Sequence, residues 1–568
     1  VIDVGSSSVR MSCVRVEDDG ATWTVLADER EMTRLAEKHS ESDEAQDEQG
    51  KLASKKQGEV SSAESRDSEA NMLAPRAMRR SVDAIARFAA IARGAGAEPL
   101  CVATAAVRSA RNQREFIDAV ASGAGVQLQV LSAGDEARAS FDAAMREAPV
   151  TLGPCAVLDI GGGSLQLTQA LHGIVIDRAS LPLGAIALSQ RVRSEAEPND
   201  GKQSEELTGS TERKIAEALC DKLMKRSIKP RVKATKQRPL HVLGVGGTLT
   251  TLLAIVARKR GLTVDRKDPR QAAMVGVISV QEIRECIDAL ASMPASRRDE
   301  LPGVSSDRAD IILCGLIAAE RALHRMQASH IRIIAGGVRE GLLAKLAKGE
   351  LLASDARHGT RHTSLLAHAG ELLDLCAPHT PHATAAHSRH VAHLSLRLFA
   401  SLAELCEWRE LAGHTMHQQS LLLHAAALVH DVGVMVRYKQ HHKHSARIVR
   451  GCNWPGTSDV DRALLALLAR YHRRAHPKER HDAFMELPSQ ERSLVVRLAS
   501  VLRIADGLDR THTQRVIDVR ALRDHGSSII IEAAPASTAV GTLGAELRAA
   551  SDKAGLLEEY VGCDVVVR

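Results

Sequence analysis

Aromatic side chains are scarce: Phe, Trp and Tyr together make up 2% of the 568 residues. Stacking platforms for nucleobases are therefore not expected to dominate a binding surface. The ten cysteines include no Cys-x-x-Cys pair, which offers no zinc ribbon and fits a reducing, cytoplasmic compartment. No apolar run reaches the roughly 20 residues that cross a bilayer, so no membrane partner is expected. A strong charge of one sign is also missing. The formal net charge of +5 argues against a wholesale nucleic-acid binder but allows a local basic cleft for a polyanion. The initiator Met is absent and Val1 already stands in an apolar run, so a preceding segment is expected.

What the chain does have is a pair of glycine-serine loops, 3-DVGSSS-8 and 159-DIGGGS-164. Each follows an apolar run that ends in Asp, the pattern of a buried strand followed by a tight turn with outward N–H groups. Bare N–H groups and hydroxyls suit phosphate oxygens, and a carboxylate beside them suits Mg²⁺. Gly5, Ser6, Ser7 and Ser8 form one candidate cradle and Gly161, Gly162, Gly163 and Ser164 the other, with Asp3 and Asp159 as candidate Mg²⁺ ligands. Two copies about one small domain apart point to a duplicated fold that grips a phosphate chain from both sides. A third loop, 244-GVGGTLTTL-252, follows a strand and opens a helix, which adds Gly246, Gly247 and Thr248 as anion-binding candidates.

Residues 37–70 carry almost no large apolar side chains and read as a mobile surface insertion. Further polar stretches cover 194–211 and the basic 225–238. Between them helices are expected at 78–93, 111–121, 211–224, 248–260 and 306–327. Strands are expected at 100–104, 126–132, 165–170, 174–181, 240–247 and 330–337. This is an α/β pattern with mixed sheets. From about 360 the pattern turns helical, with apolar spacing at Val391, Leu394, Leu398, Leu402 and Leu405. The last fifty residues return to short β-rich segments such as 526-GSSIIIEAA-534.

The order DVGSSSVRM, ATAAVRSARN (103–112), SAGDEARA (132–139), DIGGGS, SLPLGA (180–185), GVGGTLTTL, RADIILCG (308–315) and GGVREGLL (336–343) resembles the exopolyphosphatase/guanosine pentaphosphate phosphatase family, Ppx/GppA. The resemblance implies an α/β actin-like (ASKHA) duplicated ATPase fold, followed by an all-α HD-like domain and a small C-terminal α+β segment. The corresponding boundaries are 1–134, 135–348, a linker at 349–361, 362–512 and 513–568. It also implies hydrolysis of a terminal phosphoanhydride, with Glu136 taking the proton of the attacking water, Arg108 touching phosphate, and a homodimer. Several positions depart from the family pattern. Ser7 stands where Asn is usual, Leu165-Gln166 where DIGGGS is normally followed by Thr-Glu, Asp135 replaces the first acid of a Glu pair, and Ala133 replaces a Gly. Gln166 lacks the charge with which a Glu would support a metal.

Fifteen of the 25 His fall between His358 and His444. The order His390, His430-Asp431, Asp506 resembles the H…HD…D order of HD phosphohydrolases. Imidazole and carboxylate together suit a second divalent metal, Mn²⁺, Fe²⁺ or Zn²⁺. His442, His444 and His472 are candidates to extend that site, and Arg437, Arg447, Arg450, Arg473 and Arg474 suit either a polyanion channel or an ordinary exposed face.

The expected function is a cytoplasmic, Mg²⁺-dependent exopolyphosphatase that releases orthophosphate from inorganic polyphosphate. A pppGpp 5′-phosphohydrolase, a non-catalytic polyphosphate or alarmone binder, and an HD-centred phosphohydrolase are the alternatives. The expected partners are accordingly inorganic polyphosphate or guanosine penta/tetraphosphate.

Overall fold

In the computed structural model the chain falls into two compact units, residues 1–173 with 178–350 and residues 174–177 with 351–568. The structure describes residues 1–17, 22–36, 72–148, 153–196, 207–231, 235, 239–265, 269–347, 361–380, 385–454, 456–473, 475–524, 528–536 and 542–568. The expected insertion at 37–70, the middle of the polar stretch 194–211, most of 232–238, the linker up to 360 and Arg474 lie outside the described residues.

The larger unit is built on two sheets of matching topology. Strands β1 (Ile2–Val4), β2 (Ser8–Val16), β3 (Trp23–Met32), β4 (Cys101–Ala103) and β5 (Leu128–Val130) lie in the order β3-β2-β1-β4-β5. The first three are antiparallel neighbours, and β4 and β5 join in parallel. The second sheet contains β6 (Pro154–Ile160), β7 (Leu165–Leu171), β8 (Ile174–Leu181), β9 (His241–Val245), β10 (Val277–Ser279) and β11 (His330–Ile333). Its order is β10-β11-β9-β6-β7-β8. Without the added edge strand β10, both sheets read third-second-first-fourth-fifth, with the same antiparallel and parallel neighbours about the central strand. This is the duplicated, actin-like arrangement with mixed sheets.

Helices α1 (Pro75–Gly94), α2 (Ala105–Ser109), α3 (Gln113–Ala124) and α4 (Ala133–Glu147) follow the first strands. α5 (Ala185–Ala196), α6 (Gly209–Ser227), α7 (Gly247–Lys259), α8 (Pro269–Val275), α9 (Val280–Ala291), α10 (Ile312–Met326) and α11 (Val338–Ala347) follow in the second half. Strands β6 and β7 are buried almost throughout, as expected for sheet strands covered on both faces. β3, at the sheet edge, is mostly exposed and carries Asp28, Glu29, Arg30 and Glu31, charges that blunt edge-to-edge pairing. The expected helix at 306–327 is shorter: residues 306–308 form a 3₁₀ turn and the α-helix begins at Ile312.

In the smaller unit the helices α12 (Arg361–Cys376), α13 (Ala385–Leu405), α14 (Met416–Val429), α15 (His441–Gly451), α16 (Asp459–Tyr471), α17 (Asp482–Met485) and α18 (Ser489–Leu508) pack through aliphatic faces. Val391, Leu394, Leu398 and Leu402 of α13 are fully buried. A three-stranded sheet follows, β12 (Val516–Arg523), β13 (Ile529–Pro535) and β14 (Val565–Val567), with α19 (Gly544–Ser551) and α20 (Gly555–Val561) between its last two strands. Among the described residues no helix is long and apolar enough to cross a membrane.

One polar contact sits inside the second core. Arg298 is fully buried and donates to Glu212 Oε2 at 2.6 Å and to the Leu290 carbonyl at 3.1 Å, while Cys314 donates to the other Glu212 oxygen at 3.3 Å. Removing one partner leaves a charge that water cannot reach. Arg298→Met should therefore lower unfolding stability by about 3–5 kcal/mol, and Glu212→Leu with Arg298→Met should recover most of that loss. Urea-unfolding midpoints of the two variants check this.

Candidate active site

The two glycine-serine loops sit at the ends of the central strands β1 and β6, so the duplicated topology brings equivalent turns to one cleft. Each closes the same way: Gly5 N–H donates to the Ser8 carbonyl and Gly161 N–H to the Ser164 carbonyl, both at 3.1 Å. The loop carbonyls are tied outward. Those of Ser6 and Ser7 accept from residues 33–36, and those of Gly161 and Gly162 accept from residues 185–187. The N–H groups of Ser6, Ser7, Gly162 and Gly163 donate to no protein acceptor among the described residues. The loops also touch each other closely. A Cβ on Gly162 would lie 2.9 Å from Ser6 Cβ, too near for any side chain. Between them is a cleft lined by Asp3, both loops, Glu136, Asp159, Gly246 and Gly247.

Asp3, Asp159 and Glu136 are three of the four carboxylates at this cleft, with Glu340 the fourth. Asp3 and Asp159 end equivalent strands and keep part of their surface open to it. Protein surrounds both, and desolvation raises Asp159 and takes Asp3 to about 6. Asp3 Oδ1 is buried without a hydrogen-bond partner, while the Ser140 hydroxyl donates to Asp159 Oδ2. Glu136 stands in the first turn of α4, whose N-cap Ser132 accepts from Asp135 N–H at 3.1 Å. Burial pushes Glu136 up to about 7 even though Arg108 opposes the shift.

Two expected phosphate contacts are placed differently. Arg108 is not among the cleft-lining residues; its guanidinium donates to Glu136 Oε2 and to the Leu131 carbonyl, both at 2.8 Å. It therefore holds the carboxylate in place. Thr248 is buried, with its side chain packed at Gly315, and Thr250 one turn-half further on reaches the cleft. Gln166 faces Asp159 across the β6–β7 ladder, fully enclosed, and neither of its amide atoms has a hydrogen-bond partner.

The cleft also contains groups to which the motifs alone gave no role: Arg10, Arg308, Arg339 and Glu340. All lie inside segments with family-like patterns (DVGSSSVRM, RADIILCG, GGVREGLL), so the signal was present in the sequence. Glu147 fixes the last loop by accepting from Ala335 and Gly336 N–H at 3.1 Å each. Burial, together with the nearby Arg30 and Arg339, lowers Arg10, which marks a crowded cationic spot. A side cavity shares Arg10, Arg308 and Arg339 with the cleft and extends to Arg30 and Arg146.

A second constellation lies in the smaller unit. His430, at the end of α14, Asp431 and Asp506 of α18 do meet, with His430 Nε2 3.8 Å from Asp431 Oδ1 and 3.7 Å from Asp506 Oδ1. His390 does not join them. Its ring bonds the Val516 carbonyl at 2.7 Å, and His387, three residues earlier on α13, takes the inner position 3.5 Å from Asp506. His441 and His472 complete the group at 3.0 and 3.5 Å from Asp431 Oδ1.

Residues 43–350 match the model of the Ppx/GppA phosphatase family, and residues 381–528 match the model of Ppx/GppA phosphatase domain III. The chain is 28% identical over 377 residues to Exopolyphosphatase 1 of Mycobacterium tuberculosis (strain ATCC 25618 / H37Rv), covering 66% of this chain and 95% of that protein. It is 30% identical over 271 residues to Exopolyphosphatase 1 of Mycobacterium leprae (strain TN), covering 48% and 74%. Among solved structures it is similar to the Aquifex aeolicus Ppx/GppA family member, with TM-score 0.45, 21% identity and coverage of 62% of this chain and 98% of that one. It is also similar to an exopolyphosphatase from Cytophaga hutchinsonii ATCC 33406, with TM-score 0.46, 18% identity and coverage of 61% and 97%. With more than half of its length matched by one family model, the chain belongs to the Ppx/GppA phosphatase family and is a hydrolase of the phosphatase class.

Proposed function

We propose that the chain is an exopolyphosphatase that removes the terminal phosphate of inorganic polyphosphate in the cleft of the larger unit. The observation that carries this reading is the opposed pair of loops with unengaged N–H groups beside the buried Glu136. Water attack on a polyanion is slow because charge repels charge. Backbone donors fixed before the reaction offset that repulsion without reorganising. Glu136 accepts the proton of the attacking water, and Arg108 positions the carboxylate that does so. The arginines Arg10, Arg30, Arg146, Arg308 and Arg339 around the adjoining cavity suit a phosphate chain behind the reacting end. That cavity's aromatic ring, Trp23, is already covered by the Arg146 guanidinium at 3.7 Å, which favours polyphosphate over a guanosine that needs a stacking surface.

Asp3 and Asp159 fit Mg²⁺: both are hard oxygen donors, and the unpartnered Asp3 Oδ1 is buried beside the phosphate cradle. When bound there the cation would neutralise phosphate charge.

Glu136→Gln should reduce orthophosphate release from long-chain polyphosphate with Mg²⁺ by about 10²–10⁴-fold. Release that persists in the variant would remove Glu136 from the chemistry. A rate on pppGpp exceeding that on long polyphosphate would make the alarmone the substrate.

The pH profile provides an independent check. Glu136 works as a base only when ionised, so kcat/KM should fall as pH drops below about 7. Arg108 favours the ionised form. Arg108→Gln should therefore move the acidic limb to higher pH, whereas a purely phosphate-binding Arg108 would raise KM and leave the limb where it is.

A further inference from the structure

The side cavity beside the cleft is lined in a graded order that bears on what it accepts. Resting on the reading of the cleft given above, we propose that Arg146, laid over the ring of Trp23, makes this cavity select a bare phosphate chain over a nucleoside polyphosphate.

β2 and β3 pair so that Arg10 stands opposite Arg30, Ser12 opposite Asp28, Val14 opposite Val25 and Val16 opposite Trp23. An extra residue in β3, Leu26, shifts the register between Cys13 and Val14. Side chains alternate along a strand, so Arg10, Ser12 and Val14 share one face of β2. That face lines the cavity, and the register shift lets Arg30, Asp28, Val25 and Trp23 line it as well.

The wall therefore changes character with distance from the cleft. Arg10 borders both the cleft and the cavity, and Arg30 stands beside it. Next comes a polar step, where the Ser12 hydroxyl donates to Asp28 Oδ1 at 2.9 Å. The two valines follow, and the half-buried indole of Trp23 ends the row. Val14 lies four residues beyond Arg10, roughly 13 Å along the strand. Guanidinium, hydroxyl with carboxylate, aliphatic surface and aromatic ring match, in that order, the phosphates, ribose and base of a nucleoside polyphosphate. A bare phosphate chain has only anionic oxygens and gains nothing from the last two steps.

Arg146 reverses the preference that this order would otherwise give. It stands in the last turn of α4, and its Cζ is 3.7 Å from the centroid of the Trp23 ring. That separation is van der Waals contact, and the guanidinium gains from the negative face of the ring. A base cannot stack on a face that is already covered. The same guanidinium lines the cavity, so it sets a positive charge where a nucleoside would carry its base and a long chain another phosphate. One side chain thus withdraws the stacking surface and supplies a phosphate contact.

Kinetics across a double-mutant cycle of the full chain, with Mg²⁺, test this on pppGpp and on long-chain polyphosphate separately. Arg146→Ala should raise kcat/KM for pppGpp by about 10-fold or more, the scale of one base stacked on one aromatic ring, and lower it for polyphosphate. Adding Trp23→Leu should abolish the gain on pppGpp. Loss of positive charge alone would instead lower both substrates. Tryptophan emission gives a readout that needs no turnover: pppGpp should quench Arg146→Ala, and neither the unaltered chain nor the double variant. Circular dichroism identifies any variant that fails to fold. A fall on both substrates in folded Arg146→Ala, no rise on pppGpp, or a rise that survives Trp23→Leu would overturn the proposal. So would quenching of the unaltered chain by pppGpp that Trp23→Leu removes, a result that depends on no Arg146 variant. Turnover of polyphosphate by the unaltered chain tests the cleft reading by itself, so failure here and failure of that reading are distinguishable.

Discussion

The close approach of two loops at the ends of β1 and β6 is the constraint on which the larger unit depends. Ser6 and Gly162 are so near that a side chain on Gly162 would overlap Ser6. On the other side, Gly246 takes φ +98°, and a Cβ there would also meet the Ile160 carbonyl at 2.6 Å, so both constraints call for glycine. With these carbonyls tied outward, the two loops present backbone N–H donors to the cleft. A surface of this kind does not need lysines to attract phosphate, and the modest net charge of the chain is consistent with that. The same duplicated topology places Asp3 and Asp159 at matching strand ends. One architectural repeat thus yields both loops of open N–H groups and the pair of Asp side chains beside them.

Charge balance connects the carboxylates to the arginines. Asp3, Asp159 and Glu136 are all raised by desolvation, and Arg10 is lowered by burial and by like-charged neighbours. Each group is thus held away from its comfortable ionisation state, which is common where a protein is organised around a ligand it does not itself supply. On the reading proposed above, a phosphate chain accompanied by a hard cation would bring both missing signs of charge, the anion to the crowded guanidiniums and the cation to the two aspartates. Arg108 stands apart from this exchange because its partner is the protein's own Glu136.

Much of this was legible in the sequence because turn chemistry is local. Gly-Ser after an apolar strand specifies its own conformation, and the loops, the central strands and the five expected helices overlap the observed elements, whereas the other six helices of the larger unit were not expected. What was not legible depends on tertiary packing. The highly charged edge strand β3 carries no hydrophobic alternation strong enough to announce it. Thr248 and Thr250 differ by two positions in one helix, and only the packing of Gly315 against the first decides which one reaches the cleft. His387 and His390 are a sharper case. Three residues apart, they project to neighbouring positions on the same helix. The segment at Val516 bonds the later ring, which leaves the earlier one beside Asp506. A motif fixes the residue types a site needs but leaves the helical turn open when two histidines are available.

The two units use backbone groups in opposite ways around their buried polar clusters. In the larger unit the loop backbone presents N–H donors beside Asp3 and Asp159, and a methyl group on Gly162 would overlap Ser6. In the smaller unit the backbone acts at one remove: main-chain carbonyls at Ala427, Tyr438 and Ala469 set the tautomers of three rings. The side chains then present soft-to-borderline nitrogen. The carbonyls of Ala427 and Ala469 lie in the last turns of α14 and α16, where the last carbonyls lack intrahelical donors, whereas that of Tyr438 precedes α15 and also accepts from His441 N–H. A helix terminus therefore orients an imidazole with a group that would otherwise need a cap. The same open ends of secondary structure that form the phosphate cradle with N–H groups arrange the histidine cluster with C=O groups.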